Sequence, residues 1–351
     1  MKHITRLLLI CLSLAPVAGI AALEPAASVV EIEVTKKAYD YKTPWLTQNK
    51  QVRKNGILIG LNQILTTADG LAGQYLCRIK KGGESRQYKA ELIWVDYYAN
   101  VAILGVPEPT FRQGMKPVAL AKTIPQSGEV QIYRWRGGRI EKRAAEIIRL
   151  FSGTGKMSYV QHLILTASSP ITSAGWSEVV FNGDQFVGLT ASASKDTLSI
   201  LPAEFIGKVI ERRSSEGAPG LGYFDFQYMP AKNPALLASK GLESRDLGVV
   251  VTEVGTKGLS SAGLNVGDVI LEVDGFTIDS EGMYIDPEYG RLSMRSLATR
   301  AHAAGDYMPL KVWRDGLEEL VYYTLPQAEF EKDLIPEQRY EGAPQYLVSG
   351  G

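Results

Sequence analysis

The chain has 351 residues, with 38 Lys+Arg against 38 Asp+Glu and therefore no formal net charge. Hydrophobic residues make up 45% and charged residues 22%, the balance of a well-packed globular protein of about two domains. This excludes a globally basic nucleic-acid binder and an acidic disordered tail, and three histidines (His3, His162 and His302) leave little for histidine-cluster chemistry.

Lys2 and Arg6 precede an apolar run from Leu7 to Val17 that is too short to span a bilayer. Gly19-Ile20-Ala21 then supplies the small residues of a signal-peptidase site. Residues 1–21 are therefore expected to be a signal peptide, and the protein to be exported, periplasmic or secreted, without stable membrane insertion. Its removal takes Cys11 and leaves Cys77 alone, so no internal disulfide forms. The alternation in Tyr75-Leu76-Cys77-Arg78-Ile79 makes Cys77 a small buried apolar residue.

From Val29 to about Leu201 short apolar runs alternate with turn residues, as in Ile57-Leu58-Ile59, Ile64-Leu65-Thr66, Val101-Ala102-Ile103-Leu104 and Val187-Gly188-Leu189. This is the pattern of an all-β barrel or sandwich. Glu204 to Arg213 predicts a helix after Pro202. The stretch from Ser214 to Gly220 breaks the composition and reads as a linker. Beyond it, Asn233-Pro234 predicts a capped short helix, and Gly248-Val249-Val250-Val251 and Val269-Ile270-Leu271 read as strands. Asp274-Gly275 follows the second of these as a hairpin-type turn. Ser293 to Ala304 predicts a helix with Met294, Leu297, Ala298 and Ala301 on one face. Lys311-Val312-Trp313 and Leu320-Val321-Tyr322 read as strands joined through Arg314-Asp315-Gly316. The fold class is mainly β, with a smaller α+β unit after it.

The segments Gly220-Leu221-Gly222-Tyr223, Ala262-Gly263-Leu264-Asn265-Val266-Gly267-Asp268-Val269-Ile270, Val273-Asp274-Gly275 and Val312-Trp313-Arg314-Asp315-Gly316 resemble a circularly permuted PDZ domain. Behind a β-rich domain and a signal peptide, this arrangement is similar to the HtrA/Deg family of trypsin-like serine proteases. Ile64-Leu65-Thr66-Thr67-Ala68-Asp69 resembles the strand that carries that family's histidine. Tyr98-Ala99-Asn100-Val101-Ala102 resembles the strand that carries its aspartate. The resemblance implies a trypsin-like double β-barrel over residues 22–213 and a PDZ domain over 214–328, with an insertion from Ser280 to Leu292. It implies that residues 329–351 are a C-terminal extension, where the resembling branch begins a second PDZ-like domain. It also implies a homotrimer, with Tyr39, Tyr41 and Trp45 as candidate contacts.

All three catalytic positions of the resemblance depart from the family. A serine protease needs an imidazole base, a carboxylate to orient it and a serine at a donor-rich turn. Asp69 stands at the histidine position, and a carboxylate is a much poorer base for an alcohol. Asn100 stands at the aspartate position and cannot stabilise an imidazolium. Counting from the preceding strand puts Ala174 at the nucleophile position, whereas anchoring on Val187-Gly188 shifts it toward Ser177. Ser173 and Ser177 are the fallback nucleophiles. Glu178 would repel a developing oxyanion, and His162 lies on a different strand from the family's base. The expectation is a protease fold without protease chemistry, with a serine endopeptidase of non-standard site as the alternative.

In the resembling PDZ domains a Gly-Leu-Gly-Tyr loop points N–H groups at a peptide's terminal carboxylate, and the next strand pairs with the peptide. Here that implies Gly220, Leu221, Gly222 and Tyr223 as the carboxylate loop, Tyr223 to Tyr228 as the pairing strand, and Leu297 and Ala301 on the opposite wall. The alternative is a strand start that closes on its own domain. The implied partners are protein or peptide C-termini, with no cofactor, metal or nucleic acid. Arg134-Trp135-Arg136-Gly137-Gly138 reads as a strand and turn. Asp279, Glu281, Asp286 and Glu288 read as a solvated acidic loop, because their spacing does not match a calcium loop.

Overall fold

The computed structural model describes residues 25–40, 42–169, 177–214, 217–242, 247–255, 263–332 and 340. The expected signal peptide, Ser173 and Ala174, Tyr41 and most of the C-terminal extension lie outside the described residues.

Six strands close a first barrel: β1 (Val29–Asp40), β2 (Thr43–Gly60), β3 (Gln63–Thr66), β4 (Gln74–Lys81), β5 (Tyr88–Asp96) and β6 (Val101–Gly105). Their hydrogen-bonded order is β1-β2-β3-β6-β5-β4. Six more close a second barrel: β7 (Glu129–Arg136), β8 (Arg139–Thr154), β9 (Gln161–Ser168), β10 (Val179–Asn182), β11 (Gln185–Ser194) and β12 (Thr197–Pro202). Closure removes the open sheet edges that short strands would otherwise expose. Ile32, Val34, Ile64 and Leu104 fill the first barrel. Ile57, Leu65, Val101, Phe181, Leu189 and Leu201 form a shared apolar layer between the two. Gly56 lies where the strands crowd: a Cβ there would stand 2.8 Å from Ile32 Cδ1 and 2.9 Å from the Leu65 carbonyl oxygen. Helix α1 (Ala203–Arg213) lies on this layer through Phe205, Ile206 and Val209, the face its spacing predicts.

The smaller unit is a sheet of β13 (Phe226–Pro230), β14 (Val249–Val254), β15 (Val269–Val273), β16 (Phe276–Thr277), β19 (Tyr307–Arg314) and β20 (Leu317–Thr324). A hairpin of β17 (Met283–Asp286) and β18 (Gly290–Ser293) lies between β16 and β19 in the chain. Asn233 caps helix α2 (Pro234–Ser239), accepting from the Ala235 N–H at 3.0 Å, as its sequence predicts. Asp274-Gly275 and Asp315-Gly316 take the positive φ angles of two-residue hairpin turns.

Two elements differ from expectation. The helix expected over Ser293–Ala304 is a 3-10 turn (Met294–Ser296) followed by α3 (Leu297–Arg300). It stops because its end is held by side chains rather than by further helix: Asp306 accepts from the Ala303 N–H at 2.7 Å, and His302 Nε2 lies 2.8 Å from Asp274 Oδ2. The strand expected over Tyr223–Tyr228 begins only at Phe226. Before it, the Asp225 N–H donates to Tyr323 Oη at 2.8 Å, and the Asp225 carbonyl accepts from Gly255 at 2.6 Å.

The smaller unit shares one apolar core with the second barrel. The Ser293 N–H donates to Ser152 Oγ at 2.7 Å, Thr299 Oγ1 to the Gln161 carbonyl at 2.9 Å, and Arg300 pairs with Glu204 at 3.0 Å.

Candidate functional site

Asp69 and Asn100 come together because β3 and β6 pair with Thr66 opposite Ala102. Asn100 closes a tight turn, its N–H bonded to the Tyr97 carbonyl at 3.2 Å, in a left-handed conformation that asparagine tolerates (φ 56°). Its Oδ1 accepts from the Asp69 N–H at 2.8 Å. The Asp69 carboxylate turns elsewhere, pairing with Lys156 Nζ of the second barrel at 2.7 Å.

Ser177 precedes β10 at a left-handed turn (φ 54°) and is 1% exposed. Its Oγ accepts from the Thr67 N–H at 3.2 Å and bonds to Thr67 Oγ1. Behind Thr67 stands Lys54, which the functional reading of the sequence passed over. Its ammonium donates to the Thr67 carbonyl, to Thr67 Oγ1 at 3.2 Å and to the Asp69 carbonyl at 2.7 Å. Burial pushes this amine down to about 7. A signal was present: Lys54 shares the inward parity of Val52, Gly56 and Leu58 on β2, all of them buried.

One charged residue corrects the sequence-based picture, and His162 finds a partner the sequence did not show. Glu178 does not face a developing oxyanion. It is wholly buried, paired with Arg134 at 3.1 Å and with Arg143, because the alternation of β10 begins with its side chain directed at β7 and β8. His162 is buried, and it lines a cavity with Asn100 and Lys156. It stacks on Phe205 with centroids 4.6 Å apart, its Nδ1 lies 2.9 Å from the Leu163 carbonyl, and burial lowers its pKa.

The Gly220–Tyr223 loop runs beside the chain that follows β20. The Tyr223 N–H donates to the Pro326 carbonyl at 3.3 Å, and the Leu221 carbonyl accepts from Ala328 at 2.9 Å. This is a non-hydrogen-bonded antiparallel bridge between Gly222 and Gln327, so the Gly222 N–H points away from that neighbour. Leu221 is buried in the layer between the barrels. Of the expected opposite wall, Leu297 is buried, whereas Ala301 lies past the end of α3 and is exposed. Arg295 bridges this space, donating to the Phe226 carbonyl at 3.1 Å. At the edge of the insertion Asp279 pairs with Arg291 at 2.7 Å, and within it Asp286 is buried rather than solvated, pairing with Arg300 at 2.9 Å. Among the described residues no group of three or more His, Cys, Asp or Glu is placed to hold a metal, and no helix is long and apolar enough to cross a membrane.

No family model matches the chain. It is 25% identical over 344 residues to Arabidopsis thaliana "Protease Do-like 2, chloroplastic", covering 92% of this chain and 54% of that protein. It is 20% identical over 338 residues to "Protease Do-like 4, mitochondrial" of the same plant, covering 92% and 63%. The solved structure of the HtrA-type protease AlgW with tripeptide superposes over 88% of this chain and 96% of its own, with a TM-score of 0.65 at 17% identity. Over nine-tenths of its length the chain is similar to Do-like proteases, and it shares the fold of HtrA-type proteases. It spans 58% of the length of the first of its curated plant relatives.

In this HtrA-like chain the segment after β20 returns to the first barrel. Phe330 meets Tyr98 edge-on at 5.5 Å and Tyr223 at 5.2 Å, and Tyr340 stacks on Tyr97 at 4.7 Å. The Glu331 N–H donates to Tyr98 Oη at 3.1 Å. A cavity of about 160 Å³ remains under this aromatic strap, lined by Tyr98, Lys156, Met157, Tyr159 and Phe330 among others.

Proposed function

We propose that this chain is an exported HtrA/Deg-family protein without proteolytic activity, which binds protein or peptide segments as a scaffold, adaptor or chaperone-like module. One observation carries the reading. Ser177, the fallback nucleophile inside the described residues, is buried and bonded to Thr67, while the carboxylate at the histidine position is paired with Lys156. A nucleophile must meet both a base and a substrate carbonyl, and Ser177 meets neither. The residues 214–328 act as a PDZ domain in this reading, with Gly222 as the loop's donor toward a peptide carboxylate. A trimer would use the N-terminal ribbon, where Trp45 is 58% exposed and Tyr39 half-buried; light scattering that gives a monomer at high concentration overturns it.

One observation favours the alternative endopeptidase. Lys54, Thr67 and Ser177 form a continuous hydrogen-bonded chain, with a lysine whose pKa is depressed. Against it, all three ammonium donors of Lys54 are already engaged. Incubation with a fluorophosphonate probe and with casein separates the two readings. The expected result is no labelling and no cleavage. Labelling lost in Ser177→Ala or in Ser173→Ala overturns the inactive reading.

A further inference from the structure

The mouth of the former catalytic centre carries more positive charge than the fold can use. Lys36 on β1 and Lys50 on β2 stand directly opposite each other. Like charges in that position oppose strand pairing, and neither lysine has a carboxylate partner among the described residues. The nearby field comes from Asp69, Lys50 and Lys156, a single carboxylate among several ammonium groups. That carboxylate is already committed to Lys156 at 2.7 Å, and Lys54 lies beneath it, bonded to the Asp69 carbonyl. An uncompensated like-charge pair on a strand is the kind of broken local rule that marks a functional surface.

We propose that Lys36, Lys50 and Lys156 form a docking edge for an extended acidic polypeptide segment. Three features select such a partner. Lys36 is half-buried, and desolvation lowers its pKa, so an incoming carboxylate meets an ammonium already stripped of part of its water. Lys156 belongs both to the charged edge, through Asp69, and to the aromatic cavity of about 160 Å³ beside Tyr98 and Met157. That volume accepts one large apolar side chain. Asp69 stands amid the lysines, where it would repel the unbroken charge of a phosphodiester chain. A peptide can set a neutral residue there and place its carboxylates on either side. The edge lies on the barrels and uses nothing of the Gly220–Tyr223 loop, so it stands whether or not that loop binds termini.

The test is fluorescence polarisation on the full chain with a labelled, C-terminally amidated decapeptide of alternating Glu with a central Leu, beside its Gln counterpart. The Glu peptide is expected to bind at least about tenfold more tightly at low ionic strength and to lose that margin at about 1 M salt. Lys50→Glu is expected to cut binding at least about tenfold while raising Tm, because the pair with Lys36 becomes attractive. The rise in Tm separates lost binding from lost folding. Lys36→Gln is expected to weaken binding in the same direction. Equal binding of the Glu and Gln peptides, or unchanged binding by both lysine variants, overturns the proposal. So does tighter binding of single-stranded DNA or of anionic phosphatidylserine vesicles than of the Glu peptide, which would make the edge a general polyanion site.

Discussion

The ammonium of Lys54 lies 2.7 Å from the carbonyl oxygen of Asp69, inside the first barrel and directly behind Thr67. Burial pushes its pKa from 10.5 down to about 7. Between these values the unfolded chain holds a proton that the folded chain has released, so stability rises with pH across that window and is flat below it. The slope is at most about 1.4 kcal/mol per pH unit. Urea unfolding at several pH values from about 7 to 9 is expected to show this rise in the wild type. In Lys54→Met the same component is absent. Parallel pH profiles for the two proteins would rule out a titrating Lys54.

Glu178 pairs with two buried guanidinium groups, Arg134 and Arg143, and Arg134 also pairs with the half-exposed Glu141. Removing one partner of a buried ion cluster leaves uncompensated charge, which typically costs about 3–5 kcal/mol. Glu178→Gln is therefore expected to lower unfolding stability by about that amount, read from the denaturation midpoint. A loss under about 1 kcal/mol would mean that water reaches the cluster.

Placing histidine and aspartate at the two positions that the resemblance matches to a triad is not expected to produce a protease. In Asp69→His with Asn100→Asp, the new imidazole has an orienting carboxylate, but the Ser177 hydroxyl still bonds to Thr67. The double variant also loses the Asp69–Lys156 pair, which is partly exposed and worth about 1 kcal/mol or less. Casein hydrolysis above the wild-type level would show that an accessible nucleophile exists.

The Gly220–Tyr223 loop gives a separate test. One of its donors, the Tyr223 N–H, is already bonded to Pro326, and the Gly222 N–H is directed away from that neighbour. One charge-assisted hydrogen bond is worth roughly 1.5–3 kcal/mol, so a free peptide C-terminus is expected to bind at least about tenfold better than its amide. Gly222→Ala is expected to weaken this binding too, since its Cβ would stand 3.0 Å from Leu325 Cβ and 3.2 Å from the Ala303 carbonyl. Equal affinity for free and amidated peptides would leave the loop as a closure of its own domain.

Local chemistry was legible without coordinates. Period-two alternation marked the strands, Asn233-Pro234 the start of α2, Asp274-Gly275 and Asp315-Gly316 the turns, and the α1 face its buried side. Each depends on residues a few positions apart, whose backbone preferences act before any tertiary contact. The same locality made the helix after Ser293 look too long, since its apolar spacing says nothing of the Asp274 and Asp306 side chains that hold its end.

The sequence by itself determined the barrel-rich fold and the likeness to the HtrA/Deg family, and it set Asp69 and Asn100 in the segments that resemble that family's histidine and aspartate strands. Tertiary structure decided which way the charges face. Lys54 turning in to Asp69, Glu178 turning in to two arginines, and Tyr223 bonding to Pro326 all join residues far apart in the chain, with Ser177 and Thr67 separated by 110 positions. A buried charge takes whatever partner the closed barrels bring within reach, because leaving it unpaired in a low dielectric costs more than any local preference supplies.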